Sequence, residues 1–280
     1  MFGRLLGTVP DSTGHAVTAH CHHLEMTPCD TAVAPSLAGA CLSVRPPGRG
    51  TCRICCGAVP WPFVTCWSCR RVGRTLGQSL EEVTPISLTT RETGLYAALK
   101  QYKGVANSVS RRQQHRLAEL VGDFLEGHAG CVAPGGYDVV TVIPSFQVHA
   151  DAHPLEDTLR MVPQLAHQGV EVVASLLPAE DHLGRNTASL HAYSCVGEHV
   201  ERRRVLLVDD LYTTGAHLHS AVAALQAAGA SSVHPLVVGR HQSRDTQSSR
   251  ELLRWSSCPE NLWSSGRCAR CSSDCPSGSS

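Results

Sequence analysis

The chain has 280 residues, 42% of them hydrophobic, and its 24 Lys plus Arg balance 24 Asp plus Glu. A formal net charge of zero excludes the global positive field that steers a protein to nucleic acid, so a role of that kind needs a local patch. No run approaches the roughly 18 apolar residues of a transmembrane helix, and the opening stretch MFGRLLGTVPDSTGH lacks the apolar core of a secretory leader. A cytoplasmic protein with no membrane partner is expected.

In chain order, residues 1–50 are rich in Pro, Thr, Ala and His without helical or strand period, and an irregular segment is expected there. Cys21, His22, His23 and Cys29 fall within it at a spacing that fits no common zinc ribbon. The fourteen cysteines are clustered rather than scattered. Cys52-x2-Cys55 and Cys66-x2-Cys69, ten residues apart, make two knuckles that a hairpin brings together, and in a reducing compartment such clusters indicate metal before disulfides. The expectation is a zinc-ribbon module over 51–75 holding a structural Zn²⁺ in a tetrahedral Cys₄ site. Cys56 is either a bystander or a competitor of Cys55, with disulfides or free thiols as the bland alternative.

A linker rich in Thr, Ser and Glu leads to Gly94, followed by a short helix to Lys103 and a longer one over 107–126. The basic side of the second helix, with Arg111, Arg112 and Arg116, is expected to be solvated. Next come a core strand over 137–144, a helix over 155–167, a strand over 170–177 and a long loop over 178–204. A helix ending at Ala228, with Gly229 as its cap, and a strand over 233–238 close the series. This alternation implies an α/β fold, a parallel sheet flanked by helices, over 88–241. Residues 242–280 form a Ser- and Cys-rich tail. Its Cys258, Cys268, Cys271 and Cys275 are either a second zinc knuckle or unligated thiols in a poorly ordered segment.

The most specific stretch is VLLVDDLYTTGAH at 205–217. Val205, Leu206, Leu207 and Val208 are an unbroken apolar run with β-branched ends, as in a strand covered on both faces. Asp209 and Asp210 follow at the carboxyl edge, where open α/β sheets bind ligands and a carboxylate pair can accept from two hydroxyls or hold Mg²⁺. Thr213, Thr214 and Gly215 then open a helical pattern, so their hydroxyls and N–H groups meet at a helix N-terminus suited to phosphate. An ordinary strand ending in a solvated Asp-Asp turn is the alternative.

This run resembles the PRPP-binding motif of type I phosphoribosyltransferases. With the cysteine knuckles before it, and with Leu95, Leu99, Lys100, Tyr102, Lys103 and Gly104 matching a Leu-rich Lys-Tyr-x-Gly segment, residues 52–241 are similar to the ComF/GntX family of phosphoribosyltransferase-like proteins. The resemblance implies a type I phosphoribosyltransferase fold with an N-terminal zinc ribbon. It assigns Asp209 and Asp210 to the ribose hydroxyls of PRPP as the catalytic pair. Tyr212, Thr213, Thr214, Gly215 and Ala216 fall to its 5′-phosphate, with Mg²⁺ as the accompanying ion. The implied activity is phosphoribosyl transfer to an unknown acceptor. The alternatives are a PRPP- or nucleotide-binding protein without turnover, or a zinc-ribbon accessory factor of DNA uptake. PRPP or a nucleotide is the expected partner, and a homodimer stays open.

The chain departs from the family where type I enzymes bind pyrophosphate. Residues 145–153 read SFQVHADAH, in which His149 and His153 are the only cations on offer, and imidazoles near pKa 6.5 are mostly neutral at pH 7. Arg185 is the main cation of the long loop, with Arg202, Arg203 and Arg204 nearer the motif strand. His217 stands where a Thr is usual.

Overall fold

The computed structural model describes residues 36–104, 107–144, 153–179 and 186–271. The early cluster Cys21, His22, His23 and Cys29, the loop residues His149 and Arg185, and Cys275 lie outside the described residues.

Five parallel strands form one sheet in the order β1-β7-β6-β2-β3. They are β1 (Thr84–Thr89), β2 (Val139–Val142), β3 (Glu171–Val172), β6 (Arg204–Tyr212) and β7 (Ser232–His241). The central strands are apolar on both sides because both sides are covered. Leu206, Val208, Val140 and Val142 pack into one core with Leu95, Leu99, Phe124 and Leu159. Val205, Leu207 and Val139 pack into the other with Leu218, Val222 and Leu225. Helices α2 (Gly94–Gln101), α3 (Ser108–Val132), α4 (Pro154–Arg160) and α5 (Pro163–His167) cover the first face, and α6 (Ala216–Ala227) covers the second. Among the described residues no helix is long and apolar enough to cross a membrane.

The expected elements return with adjustments that have local causes. The helix over 107–126 becomes α3, opened by a reciprocal Asn107–Ser110 capping box and continued six residues further than expected, through Gly127 and Gly130, to Val132. The helix over 155–167 is split by Pro163, which starts α5 at its first position and lacks the N–H needed to continue α4. The segment over 170–177 gives two short strands, β3 and β4 (Leu176–Pro178). β4 pairs antiparallel with β5 (Tyr193–Cys195), so part of the expected long loop is a small separate sheet.

Two regions differ outright. The supposed linker before Gly94 contains β1, whose six residues are all buried and which pairs with β7 over Thr84–Thr89. Pro85 is tolerated because β1 is an edge strand. Its outer side is closed by the backbone of Leu42, which bridges Leu88, and by Trp263, whose Nε1 donates to the Ile86 carbonyl at 2.9 Å. The Ser- and Cys-rich tail, for which a poorly ordered segment was one alternative, forms α7 (Gln247–Ser256), capped by Thr246 and anchored by buried Leu252 and Leu253.

Candidate functional site

All five strands are parallel, so their carboxyl ends share one edge of the sheet. From β2 the chain passes outward to β3, and from β6 through α6 to β7 on the opposite side. The strand order therefore reverses between β2 and β6, where open α/β sheets leave a crevice for ligands. Asp209 and Asp210 stand there. The acids do not end the strand as the sequence suggested. β6 continues to Tyr212 because β7 keeps pairing with it, Asp209 opposite Val237 and Tyr212 opposite Arg240. Pairing with β2 stops at Val142–Val208, and that early stop opens the crevice beside the acids.

Asp210 is buried and already engaged. Its Oδ2 accepts from the Tyr102 hydroxyl at 3.0 Å and lies 2.7 Å from Lys103 Nζ. Tyr102 and Lys103 follow α2, so the Lys-Tyr-x-Gly segment and the acidic pair, more than a hundred residues apart, form one site. The backbone N–H of Asp210 donates to Asp209 Oδ1 at 2.9 Å. Burial and then the neighbouring Asp210 charge push the Asp209 carboxyl up to about 8, with Lys103 pulling the other way. Tyr193, on β5, is raised as well, by burial first and then by Asp209. Its hydroxyl lies 3.1 Å from His217 Nδ1. His153 is half-buried at the start of α4. It caps α4 by accepting from the Leu155 N–H at 3.3 Å, and burial lowers its pKa while Lys103 lowers it and Asp210 raises it.

The phosphate-loop candidates divide by depth. Thr213 is exposed and Thr214 half-buried, while Gly215 and Ala216 are buried at the mouth of α6. Gly215 is the N-cap of α6 in the left-handed region, φ 81° and ψ 0°. A side chain there is excluded twice, by that φ and by the Tyr212 phenol, which a Cβ would overlap. Tyr212 itself turns inward, 1% exposed, so its main chain alone borders the loop. Its hydroxyl lies 3.3 Å from Cys69 Sγ and 3.4 Å from His219 Nε2. Arg202, Arg203 and Arg204 lie at the opposite end of β6. There Arg204 binds Asp138, which hydrogen bonds and charge hold at about 2, so these cations do not face the acids.

The four thiols of Cys52, Cys55, Cys66 and Cys69 are all buried and lie within 4.8 Å of one another. Cys56 is not among them: it sits at φ 54°, and burial lifts its thiol to about 12. The first knuckle is a turn closed by Cys56 N–H to the Cys52 carbonyl at 3.0 Å. The second is the first turn of α1 (Trp67–Leu76), with Cys66 as N-cap, so a helix dipole favours its thiolates. The Cys66 N–H points at Cys52 Sγ at 3.3 Å, and Cys55 and Cys66 Sγ stand 3.8 Å apart, close to the spacing of about 3.8 Å that two thiolates keep on a tetrahedral zinc. Hydrogen bonds from Cys52, Cys66 and Cys69 hold the Cys55 thiol well below its ordinary value, whereas Cys66 and Cys69, facing a thiolate, are raised. Four buried soft donors fit zinc.

Arg240 is the residue that sequence reasoning missed. It is 6% exposed and stacks on the Tyr212 ring at 4.9 Å. Burial disfavours its charge, but the Cys55 thiolate and its neighbours outweigh that, and its pKa is raised. It thereby balances the negative cysteine centre from the end of β7. Gly57 makes room for it, since a Cβ there would overlap the guanidinium. A buried Arg after an apolar strand is the signal that was available.

No protein-family model matches the chain, and no curated protein matches it. Solved structures do resemble it in part. The glutamine phosphoribosylpyrophosphate amidotransferase of B. subtilis, complexed with ADP and GMP, is 16% identical over 59% of this chain and 44% of its own, with a TM-score of 0.34. The adenine phosphoribosyltransferase of Leishmania tarentolae is 15% identical over 47% of this chain and 74% of its own, at 0.32. The orotate phosphoribosyltransferase of Mycobacterium tuberculosis H37Rv, in complex with Fe(III) dicitrate, is 16% identical over 62% and 92%, at 0.31. The chain thus spans less than half the length of the amidotransferase.

Proposed function

We propose that this protein binds PRPP at the carboxyl edge of its sheet and transfers the phosphoribosyl group to an acceptor. One observation carries the reading: at the strand-order reversal, a carboxylate pair and a left-handed glycine opening a helix stand five to six residues apart in one continuous segment. Asp209 and Asp210 accept hydrogen bonds from the ribose hydroxyls, and the N–H groups of Thr213, Thr214, Gly215 and Ala216, with both Thr hydroxyls, receive the 5′-phosphate. Tyr212 contributes its main chain to this loop and fixes its shape from below. The carboxylates are hard oxygen donors whose burial makes an unpaired charge costly, which suits Mg²⁺, and that ion supplies positive charge to the pyrophosphate. The bond from the ribose C1 to pyrophosphate oxygen breaks through an oxocarbenium-like transition state that nearby carboxylates favour.

For the acceptor, a cleft of about 260 Å³ at the carboxyl ends of β1 and β7, lined by Thr90, Arg91, Glu92, His241 and Gln242 among others, is the candidate. In this reading the chain is a ComF/GntX-type phosphoribosyltransferase-like protein of the cytoplasm, with a zinc module over 51–75 before a transferase core over 88–241. Calorimetry with PRPP and Mg²⁺, followed by pyrophosphate release over a panel of bases and amines, tests it. Binding with release supports the transferase, binding without release leaves a PRPP sensor, and no binding sinks both.

A second reading has one observation in its favour. Trp61, Phe63 and Trp67 are 68%, 46% and 59% exposed around the cysteine module, and Arg49, Arg70 and Arg71 lie over their rings at 5.4, 4.5 and 5.0 Å. Exposed aromatics with arginines are a stacking platform for single-stranded nucleic acid, the local patch that a neutral chain needs. Salt-sensitive binding of single-stranded DNA, lost on Trp61→Ala with Trp67→Ala, is the expected result.

A further inference from the structure

A second group of metal-ligating side chains lies apart from the first. The two turns by which α3 outruns its expected end carry His128 and Cys131, three residues apart and so on one face of the helix. Against them lies the tail turn Cys268-x2-Cys271. His128 is 4% exposed, and its Nδ1 stands 3.3 Å from Cys271 Sγ. Ligand atoms of His128, Cys268 and Cys271 all lie within 4.8 Å of one another, and Cys131 Sγ is 2.8 Å from Cys271 Sγ. Cys258, one of the four tail cysteines of the second-knuckle alternative, instead directs its thiol to the Arg254 carbonyl at the end of α7, at 3.2 Å.

We propose that His128, Cys131, Cys268 and Cys271 form a second structural zinc site, built half from a core helix and half from the tail. The donor set is that of a Cys₃His centre, and its H-x2-C and C-x2-C pairs each present two ligands to one ion. The sulfurs of Cys131 and Cys271 part by about 1 Å to reach the roughly 3.8 Å that two thiolates keep on a tetrahedral ion. His128 is the buried member, and the α3 turns that carry it pack on Phe124, whose ring lies 5.0 Å away. Without a ligand at its centre the site would bury an imidazole beside three half-buried sulfurs for little return.

The ion has a defined structural consequence. Arg270 stands between the two tail cysteines, and its guanidinium donates to the carbonyls of Arg53 at 2.8 Å, Ile54 at 2.7 Å and Val83 at 2.7 Å, and to Glu82 at 2.9 Å. Arg53 and Ile54 are the residues between Cys52 and Cys55. The second ion therefore fixes a clamp whose jaw closes on the backbone of the first knuckle, tying it to α3.

The test uses the full chain purified under reducing conditions without chelator. Elemental analysis is expected to find two zinc ions per chain. Alkylation followed by peptide mass spectrometry is expected to find Cys131, Cys268 and Cys271 protected until a chelator is added, together with the four cysteines of the first centre. His128→Ala with Cys268→Ser is expected to lose one zinc and keep the other, and Cys66→Ser with Cys69→Ser to show the converse loss. A wild-type chain holding a single zinc, free alkylation of Cys131 and Cys271 while zinc is bound, or a Cys131–Cys271 disulfide seen as a mass lower by two hydrogens overturns the proposal. The wild-type measurements decide the matter even where a variant fails to fold.

Discussion

At the residue scale the acidic pair divides its work unequally. Asp210 is a fixed member of the fold, held by Tyr102 and Lys103, whereas Asp209 carries a burial cost that Lys103 does not fully offset. Because the folded pKa of Asp209 is raised from 3.8 to about 8, the folded state binds more protons at this side chain than the unfolded state between those values. Stability therefore falls as pH rises through that window. Asp209→Asn is expected to raise the melting temperature of the ligand-free protein by about 2–4 °C at pH 7.5 and to flatten its decline between pH 5 and 8, about 1 kcal/mol of relief. The same variant is expected to weaken PRPP binding at least tenfold, since charge-assisted hydrogen bonds are each worth about 1.5–3 kcal/mol. Asp209→Asn with Asp210→Asn is expected to abolish binding. Thermal scans across pH and titration calorimetry read both effects, and an unchanged PRPP affinity in the double variant removes the ribose assignment.

Gly215 is also decided by its immediate neighbours. On sequence alone a substitution there should cost affinity far more than stability, because the loop lies at the sheet edge. The buried Tyr212 phenol beneath it changes that expectation. Gly215→Val must leave the left-handed region and displace the ring, so about 2–4 kcal/mol of stability is expected to go together with ligand binding. Denaturant titration measures the first loss and the PRPP-induced thermal shift measures the second. A variant that is as stable as wild type and still shifts with PRPP contradicts the loop geometry.

Among the elements, the legible ones carry a single strong period. The apolar run of β6, the stripe of α3 and the strand of β7 were visible because one face or both faces are buried along their whole length. β1 was hidden because Thr84, Ser87 and Thr89 read as a polar linker, although each is buried, with Ser87 Oγ held by the Leu42 main chain at 2.9 Å. The last turns of α3 were hidden by Gly127 and Gly130, poor helix formers that tertiary contacts keep helical. The acids and loop glycine were legible as a contiguous motif. Tyr102 and His153 were named from the sequence but their place beside Asp210 was not legible, and neither was the role of Arg240, because only the fold brings these distant segments together. α7 and the tail turn follow the same rule: polar surfaces held by a few long side chains, Arg270 above all. Arg270→Gln is expected to lower stability by about 2–4 kcal/mol, since several carbonyls lose a charged donor at once. It is also expected to speed zinc release from the first knuckle to a colorimetric chelator. Wild-type release kinetics in that variant would show that the tail does not brace the knuckle.

Across the whole molecule, the first cysteine centre and the loop over 213–216 share one buried contact. The Tyr212 hydroxyl reaches Cys69 Sγ on one side and His219 Nε2 on the other, while Arg240 covers the ring and faces Cys55. His219, lowered to about 4 by burial, stays neutral at pH 7 and can accept from the phenol. The loop main chain above Gly215 is thus shaped by a side chain whose far end rests on a cysteine. If zinc holds Cys69 in place, it holds Tyr212, and the loop that would receive phosphate is formed before the ligand arrives. Linkage then makes the effect reciprocal, because any factor by which zinc improves PRPP affinity must equal the factor by which PRPP improves zinc affinity. Stripping zinc from the first centre is expected to weaken PRPP binding at least tenfold, and saturating PRPP with Mg²⁺ is expected to raise the zinc affinity of the wild-type chain to the same degree. Tyr212→Phe keeps the ring but removes the hydroxyl. It is expected to retain its zinc and lose most of this coupling, at a cost of about 1 kcal/mol in stability. Competition titrations with a zinc indicator, with and without PRPP, measure the coupling directly. Equal zinc affinities in the two conditions, with PRPP shown to bind, would mean that the cysteine centre supports the fold alone and leaves the loop over 213–216 untouched.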